Sequence, residues 1–333
     1  WAEAPVSRSL EPMGPEMENP IKQLAVVQFD EEGNLLRLKQ DETDTYPYFY
    51  WRDFTDGGEN PGELAITEED GFKVPLFAGR QTRVCLIGNL SEEGVDSLVT
   101  RADGMPVRWA DFLEKTVRIS YVLEAGTSGE VGHVREIYLF GYYEGELADG
   151  EELGNGDKFT RMDFTLARLI ARLELSISLG EGVSLPDGYN VFFGLDGVEE
   201  DVYLFPNVNR TSYVHDHVEI TPINRTEEIK TGTNNTFYFY VAPHLVRDMA
   251  NATYLRIWCT KETNPGSVAK EEGYKVLICN DPLQETPTAD GSLWINRNSI
   301  YHMSLTLTYV DSETGRSRGV GHGSREIAIV PME

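Results

Sequence analysis

From residue 300 to 310 every second position is apolar. Tyr301, Met303, Leu305, Leu307 and Tyr309 alternate with His302, Ser304, Thr306 and Thr308. A period of two sends successive side chains to opposite faces of an extended chain, so this run predicts a strand with one buried face. Similar runs occupy 24–29, 82–87, 117–123, 136–143, 189–193 and 202–205, then 213–220, 236–241, 254–259, 274–279 and 292–295. They are rich in aromatic and β-branched residues, which suit a half-buried pleated surface. Clusters of Gly, Pro, Asn and Asp separate them at short intervals, as in β-sandwiches. Helices are expected only at 93–102, 109–114 and 244–250. The pattern predicts an all-β chain with a few short helices.

The segment 164–179 fits two periods. Leu166, Leu169, Ile170, Leu173 and Ile177 form a helical stripe, and its Leu, Ala and Arg content favours a helix. Leu169, Ala171, Leu173, Leu175, Ile177 and Leu179 also alternate strictly with Arg168, Arg172, Glu174, Ser176 and Ser178. The helical stripe thins toward the C-terminal half while the alternation persists, which predicts a strand. The acidic, Gly-rich stretch 145–158 (GELADGEELGNGDK) carries no apolar pattern and reads as a loop or linker. It divides the chain into an expected N-terminal domain, 1–150, and a C-terminal domain, 158–310. Residues 311–324 form a Gly- and Ser-rich tether, and alternation returns at 325–333 (REIAIVPME).

Size and charge narrow the classes. A chain of 333 residues can bury about three-quarters of its unfolded surface and needs no disulfides for stability. With 29 basic against 55 acidic residues the formal charge is −26, which opposes nucleic acid and anionic membrane faces. No run approaches the roughly 20 apolar residues of a membrane span. Cys85, Cys259 and Cys279 each sit in an apolar strand-like run, without metal spacing, and read as buried small hydrophobes. A Cys259–Cys279 pair remains open at this point. The chain starts at Trp1, without Met or a signal peptide, as a processed or trimmed product would.

Catalytic patterns are missing: there is no nucleophile elbow, phosphate loop, HExxH, dinucleotide fingerprint or EF-hand loop. The expectation is no enzyme, no cofactor and no metal. His215 and His217 could share a metal across one strand face, but a third ligand is not evident and a solvated face is the simpler reading. The acidic loop 149–157 lacks EF-hand spacing. Tyr48, Tyr50 and Trp51, in the aromatic run 46–51, are a candidate glycan-stacking platform; an edge strand folding onto its own domain is the plainer alternative. Asn-x-Ser/Thr triplets begin at Asn89, Asn209, Asn224, Asn234 and Asn251.

Taken in order, five strand phrases resemble those of the fimbrillins, the subunits of type V pili in anaerobic Gram-negative bacteria. Residues 21–33 (IKQLAVVQFDEEG) are similar to the family's opening strand, and 83–90 (RVCLIGNL) to its central strand and Asn turn. Residues 164–175 (FTLARLIARLEL) resemble the Arg-rich strand that opens the C-terminal domain. Residues 236–243 (TFYFYVAP) and 296–307 (NRNSIYHMSLTL) resemble its late strands. Where the family often carries a Pro-Met-Gly-like phrase, this chain has 138–145 (YLFGYYEG).

The resemblance implies two transthyretin-like β-sandwich domains and a structural or adhesive role in a cell-surface pilus. It implies export as a lipoprotein precursor, attached to the outer membrane only through a lipid anchor, and cleavage that removes the first strand. A neighbouring subunit's strand then fills the vacated groove, head to tail, in an extracellular filament. On this chain Arg325, Ile327, Ile329 and Val330 would belong to the donor strand, with Ile327 and Ile329 as groove plugs; an ordinary last strand or a disordered tail is the alternative. Arg8 and the Pro-rich segment 11–20 mark the candidate processing region. The implied partners are other pilus subunits and a host protein or glycan. The competing function is a surface glycan-binding β-sandwich protein.

Overall fold

The computed structural model describes residues 2–3, 21–39, 45–54, 74–121, 134, 136–148, 151–152, 158–159, 162–205, 218–231, 236–245, 251–263, 274–279, 294–307 and 326–331. In chain order the first strands are β1 (Ala2–Glu3), β2 (Gln23–Asp30), β3 (Phe49–Asp53) and β4 (Arg80–Gly88). Helices α1 (Glu92–Val99) and α2 (Trp109–Phe112) precede β5 (Thr116–Arg118), β6 (Leu139–Leu147), β7 (Glu151–Glu152), β8 (Lys158–Phe159) and β9 (Met162–Asp163). Then come β10 (Ala167–Arg168), β11 (Ala171–Leu179), β12 (Asn190–Val198), β13 (Asp201–Tyr203), β14 (Val218–Asn224) and helix α3 (Thr226–Thr231). The last strands are β15 (Thr236–Val241), β16 (Tyr254–Thr260), β17 (Tyr274–Leu277), β18 (Ser299–Leu307) and β19 (Glu326–Pro331). The chain is all-β with short helices, as its alternation predicts.

The N-terminal sheet runs β10-β6-β4-β2-β3. Its strands β2 and β4 are apolar on both faces because both are covered. Ala25, Val27, Phe29, Cys85 and Ile87 join the main core, while Leu24, Val26, Val84 and Leu86 join a second cluster with Ile21, Phe54, Phe164 and Leu166. Helix α1 caps the main core with Val95, Leu98 and Val99, and its start is set by Ser91, whose Oγ accepts from the Gly94 N–H. Asn89 ends β4 in the left-handed region, with φ of 63°. Its Oδ1 accepts from Lys22 N at 2.7 Å and its Nδ2 donates to the Ile137 carbonyl at 2.9 Å, so it ties three segments together. Asn89 is therefore a buried structural residue, whatever its triplet suggests for glycosylation.

The C-terminal half is a sandwich of two four-stranded sheets, β15-β11-β18-β19 and β14-β12-β16-β17. Leu173, Leu175 and Ile177 of the first face Val191, Phe193 and Leu195 of the second within one core, with Phe193 stacked on Phe237 at 5.6 Å. The segment 164–179 settles as two strands, β10 and β11, broken by a bend at 169–170. Sheet membership changes at that bend, since β10 pairs with β6 and β11 with β15 and β18.

The halves are welded by β5, which pairs with β13 rather than with its own sheet. Ile119 N donates to Glu200 O at 2.7 Å and Leu204 N to Lys115 O at 3.1 Å. The buried Tyr121 hydroxyl donates to Glu199 O at 3.0 Å and accepts from Ala242 N at 2.9 Å. Phe205 wedges between Trp109, Phe140 and Tyr142, with ring centroids 4.7 to 5.2 Å apart. Of the expected strand at 117–123, β5 covers Thr116–Arg118, Tyr121 forms an isolated bridge with Val134, and 122–123 lie outside the described residues. Of the expected helix at 244–250, only 244–245 lie among the described residues, and His244 is bridged to Ile295 by two backbone hydrogen bonds of 3.0 and 2.9 Å.

Candidate assembly site at the terminal strand

The site is built outward from β11. Its neighbour β18 runs parallel, an arrangement that needs a crossover rather than a hairpin. Asn298 sets the start of β18. With φ of 52°, it donates from its N–H to Ile170 O at 2.8 Å and accepts on Oδ1 from Arg168 N at 3.2 Å. That clasp fixes the register in which Leu173 pairs with Tyr301 and Leu175 with Met303. Tyr301 closes the turn by accepting from Asn296 N at 2.8 Å. Burial pushes the Tyr301 hydroxyl up to about 12, against the lowering effect of that hydrogen bond.

Along β18 the buried positions are Ser299, Tyr301, Met303, Leu305 and Leu307, with Ile300, His302, Ser304 and Thr306 more open. The more open face carries a polar chain. The Arg172 guanidinium, buried to 2% exposure, meets Glu174 at 2.5 Å, and the other Glu174 oxygen meets His302 Nδ1 at 2.6 Å. Buried charge is tolerated here because it is paired.

Strand β19 pairs antiparallel with β18 at the edge of this sheet: Ile327 opposite Met303, Ile329 opposite Tyr301 and Val330 opposite Ile300. The two expected plugs are therefore register partners of the two central buried residues of β18. Among the described residues β19 is an edge strand of its own sheet. It returns after residues 308–325, a connection much longer than the 2–5 residues of an ordinary hairpin loop. Arg325 falls just outside the described residues.

At the other end of the chain, β1 pairs in parallel with β9, Ala2 opposite Met162 and Glu3 opposite Asp163. The candidate cut at Arg8 lies outside the described residues. Tyr48, Tyr50 and Trp51 do not share one surface. Tyr48 and Trp51 lean on the main core and Tyr50 on the second cluster. Trp51 Nε1 donates to Leu90 O at 2.9 Å and the Tyr50 hydroxyl to Leu38 O at 3.1 Å. They sit in and beside β3, an edge strand.

All three cysteines are buried free thiols, so the open Cys259–Cys279 pairing is not made. Register explains it: β16 and β17 pair Tyr254 with Leu277, which carries Cys279 past the end of the ladder toward Ala252. Burial pushes the Cys85 thiol well up and that of Cys259 up to about 11. His215 and His217 lie outside the described residues, and no group of three metal-ligating side chains occurs among those described. No described helix is long and apolar enough to cross a membrane.

Sequence reasoning missed the left-handed roles of Asn89 and Asn298, although each is an Asn abutting an alternating run, the residue that best tolerates that conformation after Gly. It also missed the buried set Glu199, His244 and Thr253. There His244 Nε2 lies 3.0 Å from Glu199 Oε1, and Nδ1 lies 3.1 Å from Thr253 Oγ1, which donates to Gly197 O.

An all-β chain of sheet-forming halves with an edge-paired terminal strand is the class these observations define. No protein-family model matches the chain, and no curated protein does. Among solved structures it is similar to the tip fimbrial protein Mfa3 of Porphyromonas gingivalis, determined with a C-terminal truncation. The identity is 12% and the TM-score 0.54, over 94% of this chain and 95% of that one. It is also similar to a protein of Parabacteroides distasonis and one of Bacteroides eggerthii whose names propose cell adhesion. These show 17% and 14% identity, TM-scores of 0.53 and 0.54, and coverage of 99% and 94% of this chain and 94% and 89% of those. At such identities the likeness is one of fold, shared with a tip fimbrial protein and with proteins named for cell adhesion.

Proposed function

We propose that the chain is a structural or adhesive subunit of a cell-surface type V pilus, assembled by strand exchange after proteolytic loss of its N-terminal strand. The observation that carries this reading is the terminal strand. A short edge strand on a long connection can leave its own β18 and seat elsewhere with little cost in chain entropy. Ile327 and Ile329 would contribute roughly 1.5–3 kcal/mol each when fully buried, in their own sheet or in a neighbour's. Exchange is then close to neutral until a new groove opens. A cut after Arg8 would open one, because β1 precedes Arg8 and pairs with β9, whose Met162 packs on the second cluster.

Head-to-tail exchange is heterologous and does not close, so it makes a filament. The precursor would be a lipoprotein reaching the outer membrane, with other subunits as partners and a host protein or glycan as the adhesive target. The acidic surface, at −26, keeps filaments apart in water. A structural rather than an enzymatic role is supported by neighbours of fimbrial and adhesive description. The test is to treat the purified chain with an Arg-specific protease and look for detergent-resistant ladders on gels. The intact chain should form them and a chain lacking 325–333 should not; ladders from both would refute the donor role.

A further inference from the structure

Among the described residues the outer edge of β6 is only partly covered. Strand β10 covers it only at Leu139 and Phe140. A Cβ on Gly141 would lie 2.5 Å from Thr165 O, so the chain crosses there and then departs. From Tyr142 to Leu147 the edge has no strand partner among the described residues, although the Glu146 carbonyl accepts from the Tyr143 hydroxyl at 3.0 Å.

Tyr142, Glu144 and Glu146 alternate along this edge, as register partners of Cys85, Arg83 and Gln81. Tyr142 is 52% exposed, a large apolar ring left open to water, and Phe205 holds it edge-on at 5.2 Å. Glu144 Oε1 accepts from Arg83 Nε at 2.8 Å; its other oxygen makes no contact among the described residues. Arg83 also donates to Asp30 O and Glu31 O and lies over the Trp109 ring, which brings the exposed Glu31 and Glu32 turn beside the same surface.

We propose that this edge is a docking surface for an extended, basic segment of another protein, which adds to the N-terminal sheet as a sixth strand. Three features select that occupant. Unpaired N–H and C=O groups on a sheet edge are a template for main-chain pairing. Carboxylates at alternate positions favour a strand with cations at the same period, and an open Tyr ring accepts a cation over its face. The same carboxylates repel a second copy of this edge, and the overall charge draws basic partners toward it. This surface lies on a different sheet from β19, and its occupant is a basic strand rather than the apolar segment 325–333, so the inference goes beyond the pilus reading and does not depend on it.

Fluorescence anisotropy of the full chain against a labelled, capped decapeptide of alternating lysine and threonine tests it. Controls are a peptide of the same composition with its lysines contiguous, and the alternating peptide N-methylated at every second residue. The alternating peptide should bind about tenfold more tightly than either control, as expected when ladder and charge period both contribute. Glu146→Gln, whose carboxylate makes no contact among the described residues, should weaken binding severalfold. The Glu144→Gln/Glu146→Gln pair should weaken it about tenfold and flatten its salt dependence. Equal affinity for all three peptides would mean diffuse attraction to an acidic protein and would overturn the proposal. So would undiminished binding by the double variant, or no binding of the alternating peptide.

Discussion

Replacing Tyr121 with Phe removes one oxygen from the junction between the two halves. That oxygen is buried with its residue 7% exposed, donating to Glu199 O and accepting from Ala242 N. The Phe ring fills the same space, so packing is kept and no cavity forms. What is lost is both hydrogen bonds of that hydroxyl, one to the Glu199 carbonyl and one from the Ala242 N–H, inside a buried junction. Each hydrogen bond lost at a buried group costs about 1–3 kcal/mol, so losing two should destabilise the chain by roughly 2–6 kcal/mol. Burial raises the Tyr121 hydroxyl far above its ordinary value, so it stays protonated and the loss should be constant from neutral pH to pH 9. Urea unfolding followed by both tryptophan fluorescence and far-ultraviolet circular dichroism measures the effect. Coincident transitions in the parent and a lowered midpoint in the variant are expected. A change below about 0.5 kcal/mol would show that water replaces the hydroxyl and that the junction is not dry.

Other substitutions probe separate parts of the account. Asn89→Ala loses the contacts to Lys22 and Ile137 and puts at φ of 63° a residue without the tolerance of Asn for the left-handed region, which should cost roughly 2–4 kcal/mol in chemical denaturation. Asn89→Gly should recover about 1 kcal/mol of that, and equal losses for the two would refute the backbone part. Burial pushes the Asp196 carboxyl up, but the hydrogen bond and charge of Arg256, with Lys275, hold it below its usual value. The folded value being depressed, this stabilisation is complete above the ordinary range near 3.9 and fades as pH falls through the folded value. Asp196→Asn should therefore lower the melting temperature at pH 7 and make little difference near pH 2; a difference that persists in acid would contradict it. The three thiols should be silent to a thiol reagent at pH 8 in the native state and all react on unfolding. Fast native reaction of any of them would place it at the surface.

Much of the fold was legible because burial imposes period two. The stretch 171–179 alternates because one face of β11 meets the opposing sheet while Glu174 and Ser178 meet water or partners. Its helical propensity lost to that packing, as propensity is a weak prior beside tertiary contacts. The helix α3 was overlooked although Asn224 and Glu227, three apart, carry a helix-start signature, and Asn224 Oδ1 accepts from Thr226 N at 3.0 Å. The welding of the halves was not legible. Nothing local in Thr116–Arg118 says that its partner is Asp201–Tyr203, more than 80 residues away. The candidate site was half legible: the alternation of 325–333 marked a strand, and pairing Ile327 with Met303 and Ile329 with Tyr301 required the register. That β6 lacks a strand partner beyond Phe140 among the described residues was hidden for the same reason, since an edge is defined by what fails to pair with it.

Immunogold electron microscopy of the source cells, with an antibody raised against the purified chain, tests the pilus assignment most directly. The account predicts gold along or at the tips of extracellular filaments, lost from cells in which residues 325–333 have been deleted from the chain. Gold confined to the cell body, with filaments present and unlabelled, would contradict it.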